Sequence, residues 1–234
     1  MKWTYLLVNF CTVIIPFIFS FNSKINFRKD FFIFLKANFI TSLPFLVWDA
    51  IFTEKGVWSF NSDYMMGIKV YNLPVEEVLF FISIPFSCVF TYYCSKKFME
   101  IKWDQKAEKL FVLFVSAMLL LIALVFSDKA YTYSAFMSCA ILLLTIKLYF
   151  KANWLAQFFA TYPLLLIPFF IVNGILTGTG LKNPVVIYND SENVGIRLLT
   201  IPIEDIVYGF ELILLNVFLY ERFKNLSLKW SAGR

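Results

Sequence analysis

The chain has 234 residues, of which 60% are hydrophobic, 20% aromatic and only 16% charged. A soluble domain carries about 25% charged residues, so this composition excludes an ordinary soluble domain and predicts an all-α protein that crosses a membrane several times. The net charge is +5 at pH 7 and histidine is absent, which excludes imidazole as a general base or metal ligand and leaves carboxylates, tyrosines and lysines for proton chemistry.

Long apolar runs predict seven transmembrane helices. A helix that crosses a hydrocarbon layer about 30 Å thick takes about 20 mostly apolar residues. The first run lacks the basic start and the small-residue exit of a signal peptide, so we interpret it as a helix that stays in the protein. The predicted spans are residues 3–20, 31–52, 77–95, 110–127, 131–150, 154–177 and 206–222.

Two stretches ahead of the third and the seventh helix repeat each other. Residues 67–77 read G-I-K-V-Y-N-L-P-V-E-E, and residues 195–205, which start 128 positions later, read G-I-R-L-L-T-I-P-I-E-D. Upstream, residues 49–56 correspond to residues 173–180 at a spacing of 124. Such self-similarity indicates that one structural unit is used twice.

This repeat divides the chain into two three-helix units joined by a linking helix. The first unit is predicted at residues 1–109, the linking transmembrane helix at 110–129 and the second unit at 130–234. An odd linking helix makes the two units parallel, related by an axis along the membrane normal. Both Pro-acid motifs then begin their helices at the same depth.

Lysine and arginine residues outside the spans predict the orientation. Thirteen of them fall on one side, including Lys229 and Arg234, against six on the other. The larger set is therefore placed in the cytoplasm, with the N-terminus outside, the C-terminus cytoplasmic and the chain in the cell membrane. The basic excess indicates topology and contact with anionic lipid, and it gives no reason to expect nucleic acid.

Paired acids follow the proline of each motif: Glu76 and Glu77 in the first, Glu204 and Asp205 in the second. Proline at the first helical position with acids in the first turn is a favourable helix start, and this alone explains either motif. However, both pairs directly precede apolar spans, where ionisable groups are costly and usually functional. Their shared depth predicts that the two pairs converge on one cavity.

Other polar residues lie near the motifs in the predicted fold. Tyr208 and Glu211 continue the face of Glu204, which places a carboxyl about two turns deeper. A hydrogen bond to a neighbouring helix explains Glu211 equally well. Asp49 and Asn173 occupy equivalent ends of helices two and six, where they either orient the motif carboxyls or cap those helices.

Carboxyls buried in an apolar site suggest acid–base chemistry. In an apolar site a carboxyl prefers to stay protonated, because desolvation penalises the charged form. Such an acid can protonate an isoprenoid double bond, the resulting carbocation is attacked by a neighbouring double bond, and a second carboxylate removes a proton. Aromatic faces stabilise cations, although lipid contact explains most of the aromatic residues near the first motif: Trp48, Trp58, Phe80, Phe81, Phe86, Phe90, Tyr92 and Tyr93.

These features resemble the membrane-integral lycopene cyclases. The resemblance rests on P-V-E-E at 74–77, P-I-E-D at 202–205, W-D at 48–49, G-x-W-x-F-N at 56–61 and the run at 211–221. It spans nearly the whole chain, and the paired motifs make it specific. The chain resembles the fused form, in which both units and a linking helix make one polypeptide.

The resemblance implies that lycopene is converted to β-carotene through γ-carotene, a redox-neutral isomerisation at each ψ-end. It implies Glu76, Glu77, Glu204 and Asp205 as the acid–base set. From their positions near the motifs, we expect supporting or substrate-binding roles for Asp49, Asn173, Tyr208, Glu211, Trp48 and Phe80. It also implies contact with membrane lipid and with other enzymes of the carotenoid pathway. No metal is expected, and no flavin, because no G-x-G-x-x-G follows a strand.

Two kinds of alternative stay open. Relatives that close ε- or γ-rings, or that act on lycopene lengthened by prenyl groups, differ in substrate or in which proton leaves the common cation; β-rings are the commonest product implied by a fused chain. In another class, SWEET-like transporters share the plan of three, one and three helices. The prolines here begin helices beside acids, however, and the predicted interior is strongly aromatic.

Overall fold

The computed structural model describes residues 2–232, with side chains up to residue 228. Lys229 and Arg234, which enter the charge count, therefore lie outside the described side chains. The described chain is mainly helical. Its α-helices are α1 (Thr4–Ser20), α2 (Phe31–Glu54), α3 (Val75–Phe98), α4 (Gln105–Val125), α5 (Ala130–Leu144), α6 (Leu155–Leu176) and α7 (Ile203–Ala232).

Within residues 2–232, six short strands lie in the loops and form antiparallel pairs. The strands are β1 (Trp58–Phe60), β2 (Lys69–Val70), β3 (Leu73–Pro74), β4 (Val186–Tyr188), β5 (Arg197–Leu198) and β6 (Ile201–Pro202). β2 pairs with β3 and β5 with β6, so each motif begins as a hairpin, whereas β1 pairs with β4 and joins the two halves of the chain. The turns of the two hairpins also match, since Tyr71 and Leu199 both have a φ of 58°.

The all-helical class is confirmed, and each predicted span corresponds to one helix. Among the described residues, five helices, α2 to α6, are long and apolar enough to cross a membrane, while α1 is a shorter apolar helix of 17 residues. The last helix continues to Ala232, well past the predicted end at residue 222. The arrangement of seven crossings in two repeated units stays a prediction.

One detail of the motifs differs from the sequence prediction. Pro74 does not occupy the first helical position, because it pairs with Lys69 in the first hairpin and is therefore extended, with φ −64° and ψ 148°. The helix begins one residue later, at Val75. Pro202 likewise belongs to β6, and α7 begins after it. The acids consequently occupy the second and third helical positions.

The two halves of the chain interlock. Within each half the first helix packs on the third, α1 on α3 and α5 on α7, whereas the second helix packs mainly on the third helix of the other half, α2 on α7 and α6 on α3.

The internal Pro85 of α3 leaves the Phe81 carbonyl without its helical donor. Asn38 Nδ2 and Ser42 Oγ of α2 donate to that carbonyl instead, at 2.9 and 3.1 Å.

A buried ion pair holds α4 to the second half. Glu108 of α4 pairs with Lys147, which lies in the turn of π-helix after α5, and it also accepts a hydrogen bond from the Ala156 amide at 2.8 Å. The two side chains are only 4% and 11% exposed. Glu108→Gln should lower the free energy of unfolding by about 3–5 kcal/mol, because it leaves a buried ammonium unpaired.

Chemical or thermal unfolding in detergent would measure this loss of stability. The matched control is Glu100→Gln, which breaks an ion pair with Lys102 between side chains that are 60% and 74% exposed. Such an exposed pair contributes little to stability, because water and salt screen its charges. Equal unfolding midpoints for the two variants would mean that the Glu108 pair does not hold α4 in place.

Candidate active site

A cavity of about 990 Å³ lies among α1, α3, α6 and α7, and most of the residues that line it are apolar. Three carboxyl residues also line it: Asp49 of α2, Glu77 of α3 and Asp205 of α7. Their exposed fractions are 3%, 8% and 4%. The structure thus brings together one acid from each motif and an acid from the end of α2, inside a space large enough for a sizeable apolar ligand.

The first acid of each motif faces the preceding loop instead. Glu76 Oε1 accepts a hydrogen bond from the Met66 amide at 2.6 Å, and Glu204 Oε1 accepts from the Val194 amide at 2.9 Å and from Thr132 Oγ1 at 2.6 Å. Both glutamates are fully buried, and neither is among the residues that line the cavity. Consecutive helical residues point about 100° apart, so the two acids of a motif occupy different environments.

A tyrosine hydroxyl donates a hydrogen bond to the second acid of each motif. Tyr5 near the start of α1 donates to Glu77 Oε2 at 2.5 Å, and Tyr131 near the start of α5 donates to Asp205 Oδ1 at 2.7 Å. Neither tyrosine was predicted from the sequence. A signal was present, because they stand 126 positions apart, close to the spacing of the repeated stretches.

Asp205 has two further donors. Tyr188 OH and Asn173 Nδ2 both donate to Asp205 Oδ2, at 2.9 and 2.8 Å. Burial raises the pKa of the Tyr188 phenol well above its ordinary value, and the neighbouring Asp205 carboxyl raises it further, so the hydroxyl keeps the proton that it donates. Among the described residues, three side chains donate to Asp205 and one donates to Glu77.

Asp49 occupies the position in the first half that corresponds to Asn173. Trp58 Nε1 donates to Asp49 Oδ1 at 2.6 Å, and Asp49 Oδ2 has no hydrogen-bond partner among the described residues. Asp49 and Asp205 line the same cavity as Glu77. The two halves therefore differ: the first half places the Asp49 carboxyl near Glu77, whereas the second half places the Asn173 amide on Asp205.

The pair of strands β1 and β4 covers the acid end of the cavity. Trp58 and Tyr188 are directly opposite in this pair, and each donates to an acid that lines the cavity. Their ring centroids are 6.1 Å apart, and Tyr131 stacks on Tyr188 at 6.0 Å. This strand pair, built from both halves, therefore helps to bury the carboxyls, and the exclusion of water strengthens their electrostatic interactions.

The remaining predicted residues divide between lining and supporting positions. Tyr208 and Phe80 line the cavity. Trp48 does not, but its ring packs edge-on against Tyr208 at 5.1 Å. Glu211 is also not a lining residue, and it accepts a hydrogen bond from Ser138 Oγ of α5 at 2.8 Å, as the structural explanation predicts. Of the other aromatic residues near the first motif only Trp58 lines the cavity; Phe81, Phe86, Phe90, Tyr92 and Tyr93 do not.

A cavity with an apolar wall and carboxyls at one end is typical of an enzyme that performs acid–base chemistry on an apolar substrate. Within residues 2–232, no group of three Asp, Glu or Cys side chains is placed to hold a metal ion. The chemistry that the described residues themselves can supply is proton transfer by carboxyls, with aromatic rings nearby that can stabilise a cation.

A family model described as lycopene cyclase matches the chain over residues 2–95 and again over residues 128–223. These matches cover most of the sequence, so the chain belongs to the lycopene cyclase family, and the resemblance seen in the sequence is confirmed. Each matched segment contains one Pro-acid motif, and the unmatched segment between them contains α4. No curated protein and no solved structure matches the chain.

Family membership and the long apolar helices together make this a membrane protein of carotenoid biosynthesis. They support carotenoid cyclase activity, and they favour it over the transporter alternative.

Proposed function

We propose that the chain is a lycopene β-cyclase, which converts lycopene to β-carotene through γ-carotene by redox-neutral cyclisation of each ψ-end. The observation that carries this proposal is that Glu77 and Asp205, one from each motif, line the same apolar cavity. A hydrocarbon with a reactive end fits such a cavity, because its chain contacts the apolar wall while its terminal double bonds reach the acids.

The hydrogen bonds favour different roles for the two acids. Hydrogen bonds to a carboxylate stabilise its charged form, and Asp205 accepts them from Tyr131, Tyr188 and Asn173. Asp205 is therefore suited to accept a proton. Glu77 accepts from one such donor, Tyr5, and shares the cavity with Asp49, so its charged form receives less stabilisation than that of Asp205. Glu77 is therefore suited to donate it.

The proposed reaction then balances without a redox partner. Glu77 protonates the terminal double bond of a ψ-end, and the neighbouring double bond attacks the cation to form the ring carbon–carbon bond. The ring cation loses a proton to Asp205, which leaves a new ring double bond. One proton enters and one leaves, so each ring is an isomer of the end from which it forms, and proton exchange with water restores both acids.

Aromatic rings surround the place where the cation forms. Trp58, Tyr131 and Tyr208 line the acid end, and their ring centroids are 5.2 to 6.5 Å from one another. An aromatic face attracts a cation by roughly 0.5–2 kcal/mol, with the larger value where water is excluded. These rings can therefore stabilise the cyclic cation until Asp205 removes the proton.

Glu76 and Glu204, the first acids of the two motifs, act as positioning residues. Each anchors the amide of the loop that enters its hairpin, at 2.6 and 2.9 Å. The hairpin in turn sets the first turn of the helix that carries Glu77 or Asp205. Their contribution is therefore to fix the second acid of each motif relative to the cavity.

The topology is proposed on the same basis. Two parallel three-helix units at residues 1–109 and 130–234, joined by a linking helix at 110–129, agree with the two family matches and with the matching hairpins. The excess of Lys and Arg at the end opposite to the motifs supports an N-terminus outside the cytoplasmic membrane and a C-terminus in the cytoplasm.

Expression in a host that accumulates lycopene tests the proposed function. Bicyclic β-carotene should replace lycopene, and the same reaction in D₂O should add one deuterium per ring, because the acid takes its proton from the solvent. Products with ε- or γ-rings would change the ring assignment and leave cyclisation intact. Unchanged lycopene in the presence of well-inserted, folded protein would reject the proposal.

A further inference from the structure

The cavity is a groove that extends along α1. Its lining includes residues of α1 from Thr4, beside the acids, to Pro16 near the other end of the helix. Twelve residue steps at 1.5 Å each make this about 18 Å. Beyond the acid end the lining is mainly apolar, with Leu165 and Leu212 among its members. A linear polyene can therefore lie along the groove with one terminus at the acids.

This groove opens sideways between α1 and α6. Leu7 and Ile15 of α1 and Ile171 of α6 line the groove, yet they are 51%, 63% and 62% exposed. A residue that both lines an internal space and faces outward marks the edge of an opening. Since all three are apolar and lie within apolar helices, this opening faces the lipid rather than water.

At the acid end, side chains fill the corresponding gap in the other half. The repeated sequence pairs α1 with α5 and α6 with α2, so the equivalent opening would lie between α5 and α2. There, Phe52 of α2 packs against Tyr131 of α5 with ring centroids 6.5 Å apart, and Ala135 and Phe136 of α5 join the same buried cluster. Phe52, Ala135 and Phe136 are 8%, 0% and 4% exposed.

We infer that the opening between α1 and α6 admits one end of a linear polyene from the lipid, and that the two ψ-ends of one lycopene molecule react in separate binding events. This inference rests on the proposed function. Glu77 and Asp205 lie at the same end of one groove, so together they serve one terminus at a time. The monocyclic intermediate leaves through the same opening and returns with its other end first.

Substitutions at the edge of the opening test the entry route. Leu7→Trp and Ile171→Trp place a large ring where the polyene passes, and they should raise the apparent KM for lycopene in phosphatidylcholine vesicles by about tenfold. The matched controls are Phe10→Trp and Ile167→Trp, on the same helices, 57% and 64% exposed and outside the groove lining. The controls should keep the wild-type KM.

If all four variants fold equally well and share one KM, the polyene does not enter between α1 and α6. Thermal unfolding of each variant separates a loss of entry from a loss of folded protein. Because the wild-type rate is measured in the same vesicles, an absence of any cyclisation would reject the proposed function rather than the entry route.

The order of the two reactions is tested by stoichiometry in wild-type protein. With lycopene in large molar excess over protein, separate binding events predict that γ-carotene accumulates to many times the molar amount of protein before β-carotene becomes the main product. Reaction of both ends in one binding event predicts that γ-carotene never exceeds the amount of protein. That second result, with β-carotene formed, would overturn the inference and leave the proposed cyclase activity standing.

Discussion

Glu77→Gln and Asp205→Asn should each lower the rate of ring formation by about 10²–10⁴-fold, the usual contribution of a positioned general acid or base. A glutamine at 77 has no acidic proton to give, and an asparagine at 205 cannot take one. Initial rates in isolated membranes, normalised to folded protein, would measure the loss. Glu54→Gln is the control, because this carboxyl is exposed at the same end of the molecule and outside the cavity lining; its rate should match the wild type.

The first acids of the motifs should behave differently. Glu76→Gln and Glu204→Gln keep a carbonyl oxygen for the Met66 and Val194 amides, so we expect a loss of at most about tenfold, smaller than that of a general acid or base. The alanine variants leave those amides unpaired and should also lower the free energy of unfolding by about 1–3 kcal/mol. A stable Glu76→Gln variant that is as inactive as Glu77→Gln would show that Glu76 belongs to the proton path itself.

The helices were predictable because their signal is local. Apolar runs of about 20 residues determine a membrane helix without knowledge of its neighbours, and each predicted span coincides with a helix to within a few residues except at the end of α7. There, the apolar run ends near residue 222, but the backbone hydrogen bonds continue through polar residues to Ala232. The short hairpins have no such signal, since two-residue strands are too short to show a periodic pattern.

The carboxyls of the site were predictable from the sequence, but the separate role of each one was not. Glu76 and Glu77 are adjacent and chemically alike, and only the packing of α1 and α6 on α3 determines which one faces the cavity. Tyr5, Tyr131 and Tyr188 were missed for a similar reason. A tyrosine near a helix end is usually an interfacial anchor, and its acid partner becomes evident only once the helices and the β1–β4 pair are in place.

Asp49 and Asn173 are an acid and an amide at equivalent positions of the two halves, so exchanging acid and amide should reveal which half donates the proton. Asn173→Asp removes a donor from Asp205 and adds a second acid beside it. Proton removal should therefore slow by roughly tenfold or more, as expected for an impaired general base. Asp49→Asn removes the acid beside Glu77 and should slow the first protonation to a similar extent.

Isotope effects distinguish slower proton removal from slower protonation. Asn173→Asp should increase the isotope effect of lycopene deuterated at the carbon that loses its proton, and a slower base should also yield more ε- and γ-ring by-products. Asp49→Asn should instead increase the solvent isotope effect in D₂O. Asn153→Asp and Asp63→Asn are the controls, since both residues are exposed and outside the cavity lining. The opposite pattern of isotope effects would mean that Asp205 donates the proton and the pair of Asp49 and Glu77 takes it back.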